Sequence, residues 1–292
     1  MENLRGIILM VASMAGFALA DMFIKGVTHA VPVGLVLLVL GVGGTIGFSA
    51  LAIANGERPF GRDLFSPLIM LRNLGEMAGT FGFVTAIALT PLASASAIIQ
   101  AMPLAITLGA ALFMGEPVGW RRWSAIMIGF AGVIMVIRPG MEGFQPASLF
   151  AVLAVIGLSL RDLATRAAPG HISPLRLSVY GFLTLIPSSL VLLAFDPVTQ
   201  APTLPQWGAL LAALALDGAG YYALTLAMRM GDVSVITPFR YARILFAIVI
   251  GMLVFSERPD FWTIAGSMVI VVSGLYTFMR ERARRGAGKP LS

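Results

Sequence analysis

Four ionisable residues, Glu76, Asp217, Arg240 and Arg243, stand inside long apolar stretches of the sequence. A charge at the centre of a membrane helix costs roughly 2.5 to 3.5 kcal/mol. Four unpaired ones would cost on the order of 10 to 14 kcal/mol, as much as the whole stability of a typical domain, so they must pair or line a wet cavity. Glu76 and Asp217 at a cavity wall can exchange a proton or meet an ammonium group; the alternative is that each is locked to an arginine or hydroxyl for packing. Arg240 and Arg243 are three apart and therefore share a helix face. Such a pair can hold a carboxylate or phosphate through forked hydrogen bonds, or close a structural salt bridge to Asp217 or Glu76. Tyr221 and Tyr222 lie close after Asp217, and Gln100 stands near Pro103, which frees a helix carbonyl. These seven residues are the candidates for substrate contact. Asp21 with Lys25, and Asp162 with Arg166, are i,i+4 acid-base pairs. That spacing is the ordinary helix salt bridge, and near span ends it also suits a gate. Arg161 beside Asp162 suits snorkelling to the interface.

The elements that must hold these residues are apolar helices. Of 292 residues, 58% are hydrophobic and 12% charged, which argues against a soluble enzyme or a nucleic-acid binder. Apolar runs long enough to cross about 30 Å of hydrocarbon lie near Gly6–Ile24, Pro32–Ala54, Pro67–Leu89, Ser94–Met114 and Trp123–Ile137. Five more lie near Leu149–Ala167, Leu175–Phe195, Ala209–Met228, Val233–Phe255 and Trp262–Met279. The N-terminal stretch through Ala18-Leu19-Ala20 loosely imitates a cleavable secretory signal. Cleavage there would delete a helix that has a counterpart in the second half, so it is read as the first span. Cysteine is absent, which excludes disulfides and Cys-ligated zinc. No catalytic residue, metal or cofactor is assigned, since neither HExxH nor GxSxG occurs and His29 and His171 fall in loops.

An offset of 141 residues aligns the chain with itself. It pairs Asp21 with Asp162, Lys25 with Arg166, Glu76 with Asp217 and Glu116 with Glu257, and Arg240 and Arg243 meet Ile99 and Met102. Acidic residues are too scarce for this register to be chance. Each half then holds five spans. An odd number per copy forces the second to enter the bilayer upside down, which is the inverted-repeat plan of secondary transporters. The expected organisation is a first repeat over 1–141, a second over 142–285 and a basic tail over 286–292. With the N-terminus inside, fifteen cations fall on inner segments, among them Arg72, Arg121, Arg122, Arg161 and Arg166, against Lys25, Arg138 and Arg258 outside. The positive-inside rule thus places both termini in the cytoplasm. Trp120, Trp123, Trp207 and Trp262 fall at span ends and read as interfacial belt residues. The arginines at 280, 282, 284 and 285 with Lys289 suit topology and anionic lipid rather than nucleic acid.

The stretch Leu89-Thr90-Pro91-Leu92-Ala93-Ser94-Ala95-Ser96-Ala97-Ile98-Ile99-Gln100-Ala101-Met102-Pro103-Leu104 is followed by Leu112-Phe113-Met114-Gly115-Glu116, Gly129-Phe130-Ala131-Gly132-Val133 and Ile137-Arg138-Pro139-Gly140. This pattern resembles the EamA-type branch of the drug/metabolite transporter superfamily. The second copy, with Tyr222 to Ala227, Val233 to Arg243 and Phe255-Ser256-Glu257-Arg258-Pro259, keeps the outline but carries Arg240 and Arg243 where small or apolar residues are usual. The resemblance implies ten helices, both termini inside, a central cavity and transport of a small molecule. It covers exporters of amino acids and metabolites as well as some vitamin importers.

The fold expected is therefore an all-α integral membrane protein of ten helices in two inverted five-helix repeats. The function expected is secondary transport of a small polar or amphipathic organic metabolite across the inner membrane by alternating access. Export is the first reading and import of a vitamin such as riboflavin the alternative; a proton is the candidate coupling ion. The sequence leaves the solute, the direction and the oligomeric state open.

Overall fold

The computed structural model describes residues 2–115, 118–198, 200–229 and 236–287. Glu116, residues 230–235, which include the start of the ninth run at Val233, and the last five residues of the basic tail lie outside the described residues. Every regular element among the described residues is helical: α1 (Glu2–Val27), α2 (Val33–Ala54), α3 (Pro67–Leu89), α4 (Leu92–Ile99), α5 (Met102–Phe113) and α6 (Trp120–Ile137) in the first half, with a 3-10 turn at Arg62–Phe65. The second half supplies α7 (Ser148–Ala167), α8 (Pro174–Phe195), α9 (Leu204–Arg229), a 3-10 turn at Thr237–Tyr241, α10 (Ala242–Phe255) and α11 (Phe261–Ala287).

Nine of these helical segments, counting α4 with α5 and α10 with the turn before it, are long and apolar enough to cross a membrane. The tenth is α3, whose Arg72, Asn73 and Glu76 dilute its hydropathy. Proline fixes several helix starts where a missing N–H is harmless: Pro67 opens α3 and Pro174 opens α8, behind a Ser173 hydroxyl that accepts the Arg176 N–H. The repeat also shows in the backbone. Gly115 (φ 67°) and Ser256 (φ 53°) occupy positions 141 apart, and both turn left-handed as their helices end. Glycine takes that conformation freely, whereas serine bears a Cβ penalty.

The helices gather into two compact units that interleave the halves. One comprises Met1–Leu19, Pro91–Pro146 and Ala219–Ser292; the other comprises Ala20–Thr90 and Ala147–Gly218. The first has Met10, Ile98, Leu104, Ile126 and Ile270 fully buried, and the second Val36, Leu37, Ile69, Ile87, Val179 and Tyr180. Lipid is as apolar as leucine, so helices associate here through close van der Waals packing at small residues. In the second unit α3 meets α7 where Gly157 faces Gly75 and Gly79, with a Cβ at 157 only 2.5 Å from the Gly79 nitrogen and 2.7 Å from the Gly75 carbonyl oxygen. In the first, α6 meets α11 at Gly132, whose Cβ would stand 2.9 Å from the Gly266 carbonyl oxygen.

Two charged residues complete helix ends. The N-terminus of α4 has no cap of its own, since Pro91 precedes it. Glu257 supplies one: its Oε1 accepts the Leu92 N–H at 2.9 Å and its Oε2 the Ala93 N–H at 3.5 Å. A carboxylate there satisfies orphan donors and complements the helix dipole. Glu257→Ala is expected to lower unfolding stability in detergent by about 1 kcal/mol, with Glu257→Gln losing less. The Lys25 ammonium donates to the Ile87 carbonyl at 3.1 Å and the Thr90 carbonyl at 2.5 Å, closing the C-terminus of α3.

A surface pair sets one acid response. Arg138 forms an ion pair with Asp260, which also accepts the Thr263 N–H at 2.8 Å and so caps α11. Burial pushes the Asp260 carboxyl up, but the Thr263 donor and the Arg138 guanidinium more than offset it and hold it below the usual carboxylate range. With the folded pKa below the unfolded one, the stabilisation is present above about pH 4 and is lost as pH falls through the folded value. Asp260→Asn is expected to flatten the acid limb of thermal midpoint against pH.

Candidate functional site

The span-four helix is interrupted. Gln100 and Ala101 separate α4 from α5, with their N–H groups bonding three residues back, to Ala97 and Ile98. Pro103 has no N–H to give the Ile99 carbonyl, so this carbonyl loses its helical partner there. Among the described residues of span nine, the symmetry-related place holds the 3-10 turn Thr237–Tyr241, with Pro238 in its first turn, before α10 begins at Ala242. Breaks at corresponding positions of two repeats mark where transporters bind solute, because unwound backbone is tolerated at membrane depth only when buried or beside a cavity. Gln100 joins the two breaks directly. Its Nε2 donates to the Arg240 carbonyl at 3.0 Å, and its side chain is buried.

A cavity of about 80 Å³ adjoins this junction within the first unit, with Phe17, Gln100, Arg240, Tyr241, Arg243 and Phe278 among its lining residues. That volume is well below the roughly 300 Å³ at which small-molecule sites begin. Arg243 lies over the Phe17 ring, 5.3 Å from its centroid, a cation–π arrangement. Tyr241 is only 8% exposed. Its hydroxyl has no hydrogen-bond partner among the described residues. Removing an unsatisfied buried hydroxyl is near neutral or stabilising, so Tyr241→Phe is expected to hold or raise the thermal midpoint of the purified protein. Tyr241 was not legible as a site residue. The signal was present in its place between the two arginines and three residues after Pro238.

Of the predicted site residues, Gln100, Arg240 and Arg243 are thus brought together. Tyr221 is half-buried in the same unit, whereas Tyr222 is 56% exposed and is not among the cavity's lining residues. Asp217 is half-buried in the middle of α9.

Glu76 stands in an ion cluster of the second unit. Arg161 of α7 donates to Oε1 at 3.1 Å, Arg72 to Oε2 at 3.3 Å and the Thr80 hydroxyl to Oε1 at 3.3 Å. Arg161 also bonds Asp162 at 2.8 Å, and Arg72 bonds Asn73 at 2.9 Å. Two cations and two carboxylates balance, with side-chain exposures of 6% for Arg72, 16% for Glu76, 24% for Arg161 and 27% for Asp162. Arg161 is shared between two carboxylates. It and Arg72, counted from sequence among the inner-face cations, lie inside the bundle because each has a carboxylate to meet. Of the gate candidates, Asp21 and Lys25 are buried, with Lys25 on the α3 carbonyls, Asp162 joins the cluster, and Arg166 is exposed. On the loops, Arg176 reaches Asp63 at 3.0 Å and the Arg58 carbonyl at 3.0 Å, tying the α2–α3 connection to α8.

Comparison with known proteins places this architecture. The profile of the EamA-like transporter family matches twice, at residues 4–138 and 145–279. A riboflavin transporter of Rhizobium johnstonii is 32% identical over 71% of this chain and 68% of its own. An S-adenosylmethionine uptake transporter of Rickettsia felis is 26% identical over 73% and 72%, and a pseudopaline exporter of Pseudomonas aeruginosa 29% over 71% and 73%. A solved crystal structure, 20% identical, matches 94% of this chain and 98% of its own with a TM-score of 0.59, a likeness of fold. Two profile matches that together span nearly the whole sequence, on an all-helical bundle of apolar spans, settle the matter: the chain belongs to the EamA-like transporter family.

Proposed function

We propose that this transporter moves a small amphipathic organic metabolite bearing an anionic group, by alternating access, with the solute held at the paired helix interruptions. One observation carries the reading: Gln100 ties the break after α4 to the Arg240 carbonyl, and Arg240 and Arg243 line the cavity at that tie. The two guanidinium groups supply the forked donors for a carboxylate or phosphate, and Phe17, Tyr241 and Phe278 supply ring faces for an apolar body. Glu76, already shared between two arginines, serves packing in this reading. Its repeat counterpart Asp217 remains the candidate for proton coupling. Asp217→Asn then abolishes proton-driven accumulation while leaving solute exchange intact.

The relatives are named for both uptake and export, so direction follows the coupling and the gradients. Uptake of a vitamin is the second reading, favoured by the 32% identity to a riboflavin transporter; rescue of a riboflavin-requiring strain on low vitamin tests it. The solute class is tested by a thermal-shift screen of purified protein against riboflavin, S-adenosylmethionine, amino acids and organic anions, since a bound solute raises apparent stability by mass action. The expected result is a saturable rise for one class that Arg240→Ala and Arg243→Ala both remove. A solute that stabilises those variants as well as it does the parent protein overturns the assignment.

A further inference from the structure

A second, larger hollow lies in the first unit, away from the paired interruptions and independent of the transport reading. It is a groove of about 530 Å³ between the beginning of α6 and the latter part of α11. Close approach of these helices at Gly132 and Gly266 places small residues along their seam, and Ala125 and Ser273, both buried, form its floor. Trp120, Val272 and Tyr276, all exposed, form its sides. The volume falls within the range of small-molecule sites, about 300 to 1,000 Å³. Its chemistry is divided lengthwise. The greater part is hydrocarbon, and one end carries Arg121, whose guanidinium lies 5.3 Å above the Trp120 ring, with the arginine-rich sequence at 280, 282, 284 and 285 following the groove's last residue on α11.

An apolar trough open along the span and positive at one end is complementary to an acyl chain with an anionic head group. We infer that the groove seats one anionic glycerophospholipid, an acyl chain along Ala125, Val272 and Ser273 and the phosphate at Arg121. Lipid already lies in hydrocarbon, so the acyl chain adds shape but little free energy. Selectivity therefore rests on the head group, and the positive-inside rule puts this end in the cytoplasmic leaflet, where a basic cluster meets anionic lipid.

Native mass spectrometry of the full-length protein, released from nanodiscs of equal palmitoyl-oleoyl phosphatidylglycerol and phosphatidylcholine, tests this. One phosphatidylglycerol is expected to be retained in preference to phosphatidylcholine. Arg121→Ala should weaken that preference about fivefold, the size of one cation's contribution at an anionic surface. Val272→Trp, which fills the groove from an exposed position, should abolish retention without moving the thermal midpoint in detergent, and Met268→Trp provides the same test from the neighbouring turn. Equal retention of both lipids overturns the inference, as does retention that survives both tryptophans, or a two-copy species that Val272→Trp splits.

Discussion

Gly157→Leu is expected to abolish the folded protein or to lower its thermal midpoint further than any other substitution in the second unit. The atoms that a Cβ at 157 meets are backbone, the Gly79 nitrogen at 2.5 Å and the Gly75 carbonyl oxygen at 2.7 Å. No rotamer change relieves them, so α3 and α7 must separate. Ordinary overpacking costs about 1–3 kcal/mol. Here the whole helix pair is displaced, and with it the contact that brings Arg161 to Glu76, so the loss exceeds that range. The control is Gly208→Ala on α9, where nothing lies within 4 Å of the added carbon; a better helix former there is expected to be neutral or to stabilise by up to about 1 kcal/mol. Thermal unfolding in detergent, followed by intrinsic fluorescence, reads both.

The second large effect is in the ion cluster. Glu76→Leu removes the carboxylate that Arg72 and Arg161 share, leaving Arg161 on Asp162 and Arg72 on Asn73, and removing one partner of a buried ionic group costs about 3–5 kcal/mol. The double variant Glu76→Leu with Arg161→Met removes one charge of each sign, leaving Arg72 and Asp162. It is expected to recover most of the loss, because replacing a buried pair by apolar groups of like volume is near neutral. A double-mutant cycle measures this as a coupling energy. Additive destabilisation would show that the cluster does not act as a unit. Transport by the double variant is expected to persist, which separates a packing role for Glu76 from a role in solute or proton binding.

Much of this architecture was legible before any coordinates. The apolar runs fixed the spans because hydrocarbon thickness sets their length, and the register at 141 residues fixed the two copies because membrane spans afford so few acidic residues. The left-handed ends at Gly115 and Ser256 and the matched breaks at Gln100 and Tyr241 follow that same register. Pro103 signalled the first break. The second went unread because Arg240 and Arg243 in the run from Val233 to Phe255 read as site charges on one helix face, and Pro238 near its start looks like a helix beginning.

The partners of charges were harder to read, since they are set by which helix faces lie together. The i,i+4 spacing points from Lys25 to Asp21 and says nothing of the carbonyls 62 and 65 residues away that its ammonium reaches. Glu257 was visible as a repeat match, but its capping of α4 spans 165 residues. Arg161 read as an interfacial cation because periodicity alone does not reveal the carboxylate of α3 opposite it. The interleaving of the halves into two units has no one-dimensional signature at all.

In the proposed mechanism the solute is held at Arg240 and Arg243. Counterflow in proteoliposomes, with the compound identified by thermal shift loaded on one side and its labelled form added on the other, tests that most directly. The prediction is saturable uptake, accelerated by unlabelled solute on the far side, and lost in Arg240→Ala and Arg243→Ala proteins that still unfold cooperatively. Flux that rises linearly with concentration, or that proceeds equally in both arginine variants, contradicts it.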